Sequence, residues 1–361
     1  MNALVPRRVL AIAISVVAPL ATGAAFSEGA APPEEARPNT THAISRAVFA
    51  EGRLWLLQDD GSLVSLAPKD AGAQPATAPG RILEICKAAG RLTGLIQGKG
   101  KWSLQTRREE GWSELASVPS EGDTFAGLDC RDDDGPVTVL TNRRLVELKG
   151  GHTRSVKLRQ PLQGPLVMGT IFGTPEALWI GFNAGEWGGG LRRIGRDDGA
   201  VREVEKNNSG DICGGPLNSA CDPVNGIIAA PWNRACVVAA IGLVHMLAHG
   251  RIVEVCGNDV RRLYFKPLKD QPPRNELDDG EPANTVAFFG LGQKGDIWWA
   301  IGMDGLYRFD GTNRPELRPL PKFENKGGYR VSFEIPDLAL VLTDVNQRRS
   351  LSGAVPIMAV R

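Results

Sequence analysis

From residue 43 onward, apolar and polar positions alternate in short runs broken by Gly, Asp and Asn, and helical periodicity is almost absent. Three stretches align. They are Gly52-Arg-Leu-Trp-Leu-Leu-Gln-Asp-Asp-Gly-Ser-Leu-Val-Ser-Leu66, Gly295-Asp-Ile-Trp-Trp-Ala-Ile-Gly-Met-Asp-Gly-Leu-Tyr-Arg-Phe309, and Ala177-Leu-Trp-Ile-Gly-Phe182 continued at Gly190-Leu-Arg-Arg-Ile194. Each reads as strand, tight glycine turn, strand. The stretches 136–148 and 236–246 are fainter copies. In this alignment Trp55, Trp179 and Trp298 take the same place.

A small or apolar strand precedes each hairpin (43–49, 124–130, 165–172, 224–229, 285–291), and a polar edge strand follows (201–205, 252–256, 316–319). That makes four strands per unit, repeated at a spacing of about 40–60 residues. The predicted fold is all-β: a seven-bladed β-propeller of four-stranded antiparallel blades over residues 43–361, its second and seventh units the faintest. A four-stranded sheet of this kind buries both faces only between neighbours, and a ring of sheets leaves no long open edge. The aligned tryptophans are expected to pack between blades. The apolar strand at 355–360 is expected to close the ring by sharing a blade with a strand near Ala43.

The beginning of the chain breaks this pattern. Arg7 and Arg8 precede an apolar run at 9–21, and small residues follow to Ala25. This predicts a signal peptide over 1–25, too short to span a bilayer, with a weak twin-arginine hint that leaves the Sec and twin-arginine routes open. Residues 26–42, rich in Ala, Pro and Glu, predict a flexible leader. No later segment is apolar enough to span a membrane. The chain carries 42 basic and 41 acidic residues, and without 1–25 the balance is 40 to 41, so no global charge attracts nucleic acid or anionic lipid. Six cysteines in an exported chain suggest disulfides, and 15 connectivities are open. The preferred set is Cys213–Cys221, Cys236–Cys256 and Cys86–Cys130: one short loop, one link within a blade and one between neighbouring blades. A zinc site is disfavoured, because there is no CxxC pair and only four histidines. The expected location is periplasmic or secreted.

The hairpins Leu178-Trp-Ile-Gly181 and Gly305-Leu-Tyr-Arg-Phe-Asp-Gly311, and more loosely 52–66, resemble the repeats of two-component-regulator propellers. The resemblance covers about three blades. It implies a propeller, frequently extracytoplasmic, that binds ligands or proteins. That family usually carries a membrane helix and a signalling domain after the propeller, and no such segment follows within this sequence, so a direct sensor-kinase role is not expected.

Catalytic signatures are mostly missing. GxSxG, HExxH, P-loop and Ser-x-Asp-x-Gly-x-Thr-Trp patterns are absent. His245 is read as a strand residue and His249 as part of the next turn. The interruptions of the repeat carry more information. The segments 183–190, 207–223 and 257–282 are read as enlarged loops on one face, a B–C turn and two D–A crossings beside one blade. Long loops on a rigid scaffold often carry function. The candidate ligand-binding residues are Asn183, Glu186, Trp187, Asp211, Asp222 and Asn225. Asn183, Asp211, Asp222 and Asn225 offer oxygens suited to Ca²⁺, while a disulfide-stapled loop without an ion is the favoured reading, so no cofactor is expected. The leading expectation is an exported recognition propeller, leaning away from catalysis, that engages a small ligand, a glycan or an envelope protein. The alternatives are a lyase or hydrolase using the loop carboxylates, with or without Ca²⁺, and a purely structural envelope component.

Overall fold

A computed structural model of the chain describes residues 44–70, 72–120, 122–130, 135–163, 168–207, 215–245, 248–268, 284–312, 314–320, 330–342 and 357–361. The expected signal peptide and leader lie outside these residues.

Six four-stranded antiparallel sheets follow one another along the chain, each made of strands consecutive in sequence. They are blade 1 (44–76), blade 2 (82–119), blade 3 (125–157), blade 4 (168–204), blade 5 (224–264) and blade 6 (288–318). A three-stranded sheet, Arg330–Ser332, Leu338–Leu342 and Ile357–Val360, closes the ring between blade 6 and blade 1. The expectation of seven four-stranded blades is therefore corrected to six. The repeat spacing measures chain length per unit, not strands per unit, and the last unit holds three strands among the described residues.

Closure also differs from expectation. Ile44–Ala50 is the innermost strand of blade 1 and pairs with Arg53–Gln58, while Ile357–Val360 pairs with Leu338–Leu342. Among the described residues no strand is exchanged. The seam is closed by packing of Ala47, Leu54 and Leu56 against Leu340 and Leu342. Across it, Arg330 Nη1 donates to the Ser45 carbonyl (3.0 Å) and Ser332 Oγ to the Ala47 carbonyl (3.2 Å).

The core is a series of apolar layers between blades rather than one central mass. Trp55 faces blade 2, and Trp179 faces blade 5. Trp298 breaks the expected equivalence. It packs back against Ile228, Val238 and Ala240 of blade 5, stacked on Phe309, while Trp299 faces forward to Ala339 and Val341 of the closing sheet. Register explains this. Trp55 and Trp179, opposite Val48 and Phe172, are each the third residue of their strand, and in blade 6 that place belongs to Trp299. A one-residue offset in a strand reverses the face a side chain presents.

Two disulfides join this framework as expected. Cys86–Cys130 links the innermost strands of blades 2 and 3, with Cα atoms 5.9 Å apart. Cys236–Cys256 ties two directly opposed residues of blade 5, 4.4 Å apart. That spacing is typical of a narrow antiparallel pair. Cys221 is also disulfide-bonded, and its expected partner Cys213 lies outside the described residues. Among the described residues, no helix is long and apolar enough to cross a membrane.

Blade 5 corrects one of the three loops. Its second strand, Asn233–Val244, runs straight through Gly242, which the sequence pattern suggests as a turn glycine. A Cβ on Gly242 would lie 2.3 Å from the Phe288 carbonyl oxygen, and one on its cross-strand partner Gly250 2.5 Å from that of Val286. Both glycines let the start of blade 6 pass close by, which is a second use of glycine in a strand. The hairpin turn falls instead after Val244. Residues 252–256 thus belong to the third strand, Ala248–Cys256, and the edge strand is Asp259–Tyr264. The expected loop 257–282 consequently begins with a tight turn and an edge strand, and 269–283 lie outside the described residues.

Candidate functional site

Antiparallel order puts the B–C turns and the D–A crossings on one face of the ring. The insertion after Phe182 leaves blade 4 on this face, forms a single 3₁₀ turn at Gly185–Trp187, and returns through Gly188, Gly189 and Gly190. All three glycines have positive φ (72°, 136° and 72°). A Cβ on Gly188 would meet Ala220 at 2.3 Å, and one on Gly190 would meet Ser219 at 2.8 Å. The glycine run therefore lets this turn dock onto the crossing at 215–223. Gly189 N–H donates to the Ser219 carbonyl and Gly190 N–H to the Asp222 carbonyl, both at 2.9 Å. These amides serve loop-to-loop contact, so they are not open to a ligand.

The crossing is in turn pinned to blade 5. Asp222 is buried; its Oδ2 accepts from the Asn218 N–H (2.6 Å) and from Arg251 Nη2 (2.5 Å). Arg251 also donates to the carbonyls of Gly215 (3.0 Å) and Pro216 (2.7 Å). Such a pair organises its loop, and breaking it strands a charge in the interior. Asn225 works similarly. It accepts from Asn183 Nδ2 (2.6 Å) and donates to the carbonyls of Gly242 (2.8 Å) and Phe288 (2.9 Å), joining blades 4, 5 and 6. Asn183 Oδ1 accepts the Gly185 N–H (2.9 Å). The oxygens proposed for Ca²⁺ at Asn183, Asp222 and Asn225 are thus engaged in hydrogen bonds. Asp211 lies outside the described residues. Among the described residues, the one His/Cys/acid cluster within mutual ligating reach is Cys236, Glu254 and Cys256, and both its sulfurs are in a disulfide.

Glu186 and Trp187 project from this braced platform into solvent. Glu186 Oε2 lies 3.1 Å from His245 Nδ1, joining the adjacent turns of blades 4 and 5. Trp187 is 77% exposed. His245 sits in the turn after Val244, and His249 sits on the strand Ala248–Cys256, the reverse of the expected placements. Both shifts follow from reading Gly242 as a turn. His249 Nε2 is 3.5 Å from Asp222 Oδ1.

Beside Trp187 a cleft of about 590 Å³ opens over blade 4, between the crossing at 159–163 and that at Ser219. Leu162, Phe182 and Trp187 give it apolar surface, and Gln160, Gln163 and Ser219 give it neutral polar groups. Its two arginines are each paired. Arg192 Nη2 is 3.1 Å from Glu203, and Arg159 Nη2 is 2.9 Å from Asp198. The Ala200 N–H first, and Arg159 second, hold the Asp198 carboxyl below the usual range. Of the five expected site residues that are described, only Trp187 lines this cleft; its other walls, from the 159–163 crossing and blade 4 itself, carry no sequence signal. A larger cleft of about 1170 Å³ opens on the opposite face between blades 1 and 2, lined by Arg53, Arg91, Arg107 and Trp112. There the Trp112 Nε1 donates to the Thr77 carbonyl (2.9 Å), Arg107 lies over Trp55, and the flanking turns are short.

No family model matches this chain, and no curated protein matches it. Solved structures do. The extracellular domain of the one-component system BT4673 of B. thetaiotaomicron is similar over 88% of this chain (TM-score 0.52, 13% identity), and the chain spans 38% of that protein. YCF48 bound to a D1 peptide is similar over 90% of this chain and 93% of its own (TM-score 0.51, 12% identity). U3-55K is similar over 89% and 96% (TM-score 0.53, 11% identity). At these identities the likeness is one of propeller fold.

Proposed function

We propose that this chain is a recognition propeller of an oxidising, extracytoplasmic compartment that binds a neutral, polar ligand in the cleft beside Trp187. A glycan is the form of ligand best matched to that lining. The observation that carries the reading is Trp187 itself, a large aromatic ring held in solvent by a loop in which six backbone N–H groups between Ala184 and Gly190 donate hydrogen bonds. A solvent-facing ring of this kind forfeits burial and is a ready stacking surface. The pairing of Arg159 and Arg192 with carboxylates leaves the cleft without unbalanced charge, which suits a ligand of hydroxyl and amide groups. The bridges Cys86–Cys130 and Cys236–Cys256 suit an oxidising location. Propeller neighbours include a peptide-bound protein, so a protein segment is the competing ligand.

The test is a binding screen of the purified chain against neutral glycans, charged glycans and peptides, repeated with Trp187→Ala. A neutral glycan that binds the native chain and is lost by at least about tenfold in the variant supports the reading. Equal binding by a folded Trp187→Ala variant removes it. A second reading, a lyase or hydrolase, draws on the exposed Glu186–His245 pair, a carboxylate and imidazole placed for proton transfer. It predicts turnover of the bound ligand that Glu186→Gln abolishes without weakening binding.

A further inference from the structure

We infer that the mouth of the central channel, at the closure seam, is a second binding site, one that holds a single oxyanion group between Arg46 and Arg330. This site is independent of the cleft beside Trp187. Ile44–Ala50, Ile82–Ala88 and Arg330–Ser332 are the channel-side strands of blade 1, blade 2 and the closing sheet. Arg46, Glu84 and Arg330 stand near the starts of these strands, toward the face that carries the enlarged loops.

The geometry leaves one positive charge loosely compensated. Among the described residues, Glu84 is the one carboxylate shared by both guanidinium groups, and Arg46 Nε reaches no closer than 4.0 Å to its Oε1. That same oxygen already accepts the Ile85 N–H at 3.0 Å. The neighbouring charges, Lys87 and Glu334, pair with each other at 3.9 Å and contribute no excess. The Nε of Arg46 is buried and has no hydrogen-bond partner. A hidden, unmet donor on a charged group is costly.

Ring closure does not need that donor. The seam is held by Arg330 Nη1 and Ser332 Oγ on backbone carbonyls and by the apolar layer beneath them. The Nε edge of a guanidinium is suited to bidentate contact with a carboxylate or phosphoryl group. Electrostatics agree with this account. Burial pushes the Glu84 carboxyl up, against the opposing pull of Arg46. Burial, assisted by the like charge of Arg46, pushes Arg330 down. An added oxyanion between the two arginines would oppose the second effect by favouring the charged form of Arg330.

The test uses the whole chain, with inorganic phosphate and acetate as probes at fixed ionic strength and chloride as the reference anion. Calorimetric titration is run on the native protein, Arg46→Gln and Glu84→Gln, each checked for an unchanged fold by circular dichroism. At least one probe should bind more tightly than chloride. Arg46→Gln should weaken it by about tenfold or more. Glu84→Gln, which removes the competing carboxylate, should tighten it by about tenfold. A response to phosphate alone assigns a phosphoryl ligand, and a response to acetate alone assigns a carboxylate. Binding no tighter than chloride, or equal in native and Arg46→Gln proteins, overturns the inference. Neither outcome touches glycan binding at Trp187.

Discussion

Trp179 and Trp187 lie eight positions apart on blade 4 and stand in opposite surroundings. Trp179, on the regular strand Ala177–Phe182, is 2% exposed and packs against Leu191, Leu217 and Val224 in the layer shared with blade 5. Trp187, on the insertion that interrupts the hairpin, is 77% exposed. The same residue type does two kinds of work. In the repeat it fills the gap between blades; outside the repeat it is displayed to solvent by a loop braced with glycine contacts and the Asp222–Arg251 pair. Where the repeat is regular the molecule stores stability, and where it is broken it offers a surface.

The sharpest way to break this contrast is to truncate both tryptophans. Trp179→Ala should cost about 3–5 kcal/mol in urea unfolding, the range for a large core side chain. A loss below about 1 kcal/mol would show that Trp179 is not a core residue in solution. Next in size is Asp222→Ala, which takes a buried carboxylate from Arg251. It should cost about 3 kcal/mol and expose the 215–223 crossing to proteolysis. An unchanged digestion pattern would argue that the crossing is held by other contacts.

Removing the bridge between blades 2 and 3 by Cys86→Ser with Cys130→Ser should lower stability by about 2–3 kcal/mol, read from the urea midpoint. A pH effect is also expected in the regular part of the molecule. Burial, and after it the hydrogen bond to Asp304 (2.7 Å), pushes the Tyr307 phenol far above its usual value, and burial raises that of Tyr264 too. Their neutral forms are favoured in the folded state, so this stability is complete below about pH 10 and falls as pH rises beyond it. Tyr307→Phe should flatten the decline between pH 9 and pH 11. An identical slope would assign it elsewhere. The smallest stability change belongs to Trp187→Ala, within about 0.5 kcal/mol of the native protein.

Much of the regular half was legible in the sequence, because period-2 alternation with glycine turns is a local signal. The hairpins at 53–66, 177–194 and 297–310 and the pairs Cys86–Cys130 and Cys236–Cys256 all come from it. Errors arose where a local signal had a distant cause. Gly242 looks like a turn, yet it is glycine because Phe288, far along the chain, passes within reach of its missing Cβ. That single misreading displaced His245, His249 and the edge strand of blade 5. Trp298 and Trp299 were exchanged because an offset of one residue in the turn reverses the facing of a strand. Loop enlargement was visible in the sequence, but the use of each loop residue was not. Asn225 is a polar residue near the start of the strand Val224–Ala230, and only its bonds to three blades show that it braces them.

The central claim is that ligand recognition belongs to the interrupted sector around blade 4. Hydrogen exchange measured with and without a ligand found by the screen tests it most directly. The account predicts slowed exchange at 159–163 and 183–192, with the opposite face unchanged. Protection instead along the large cleft between blades 1 and 2, around Arg91 and Trp112, with none near Trp187, would contradict it.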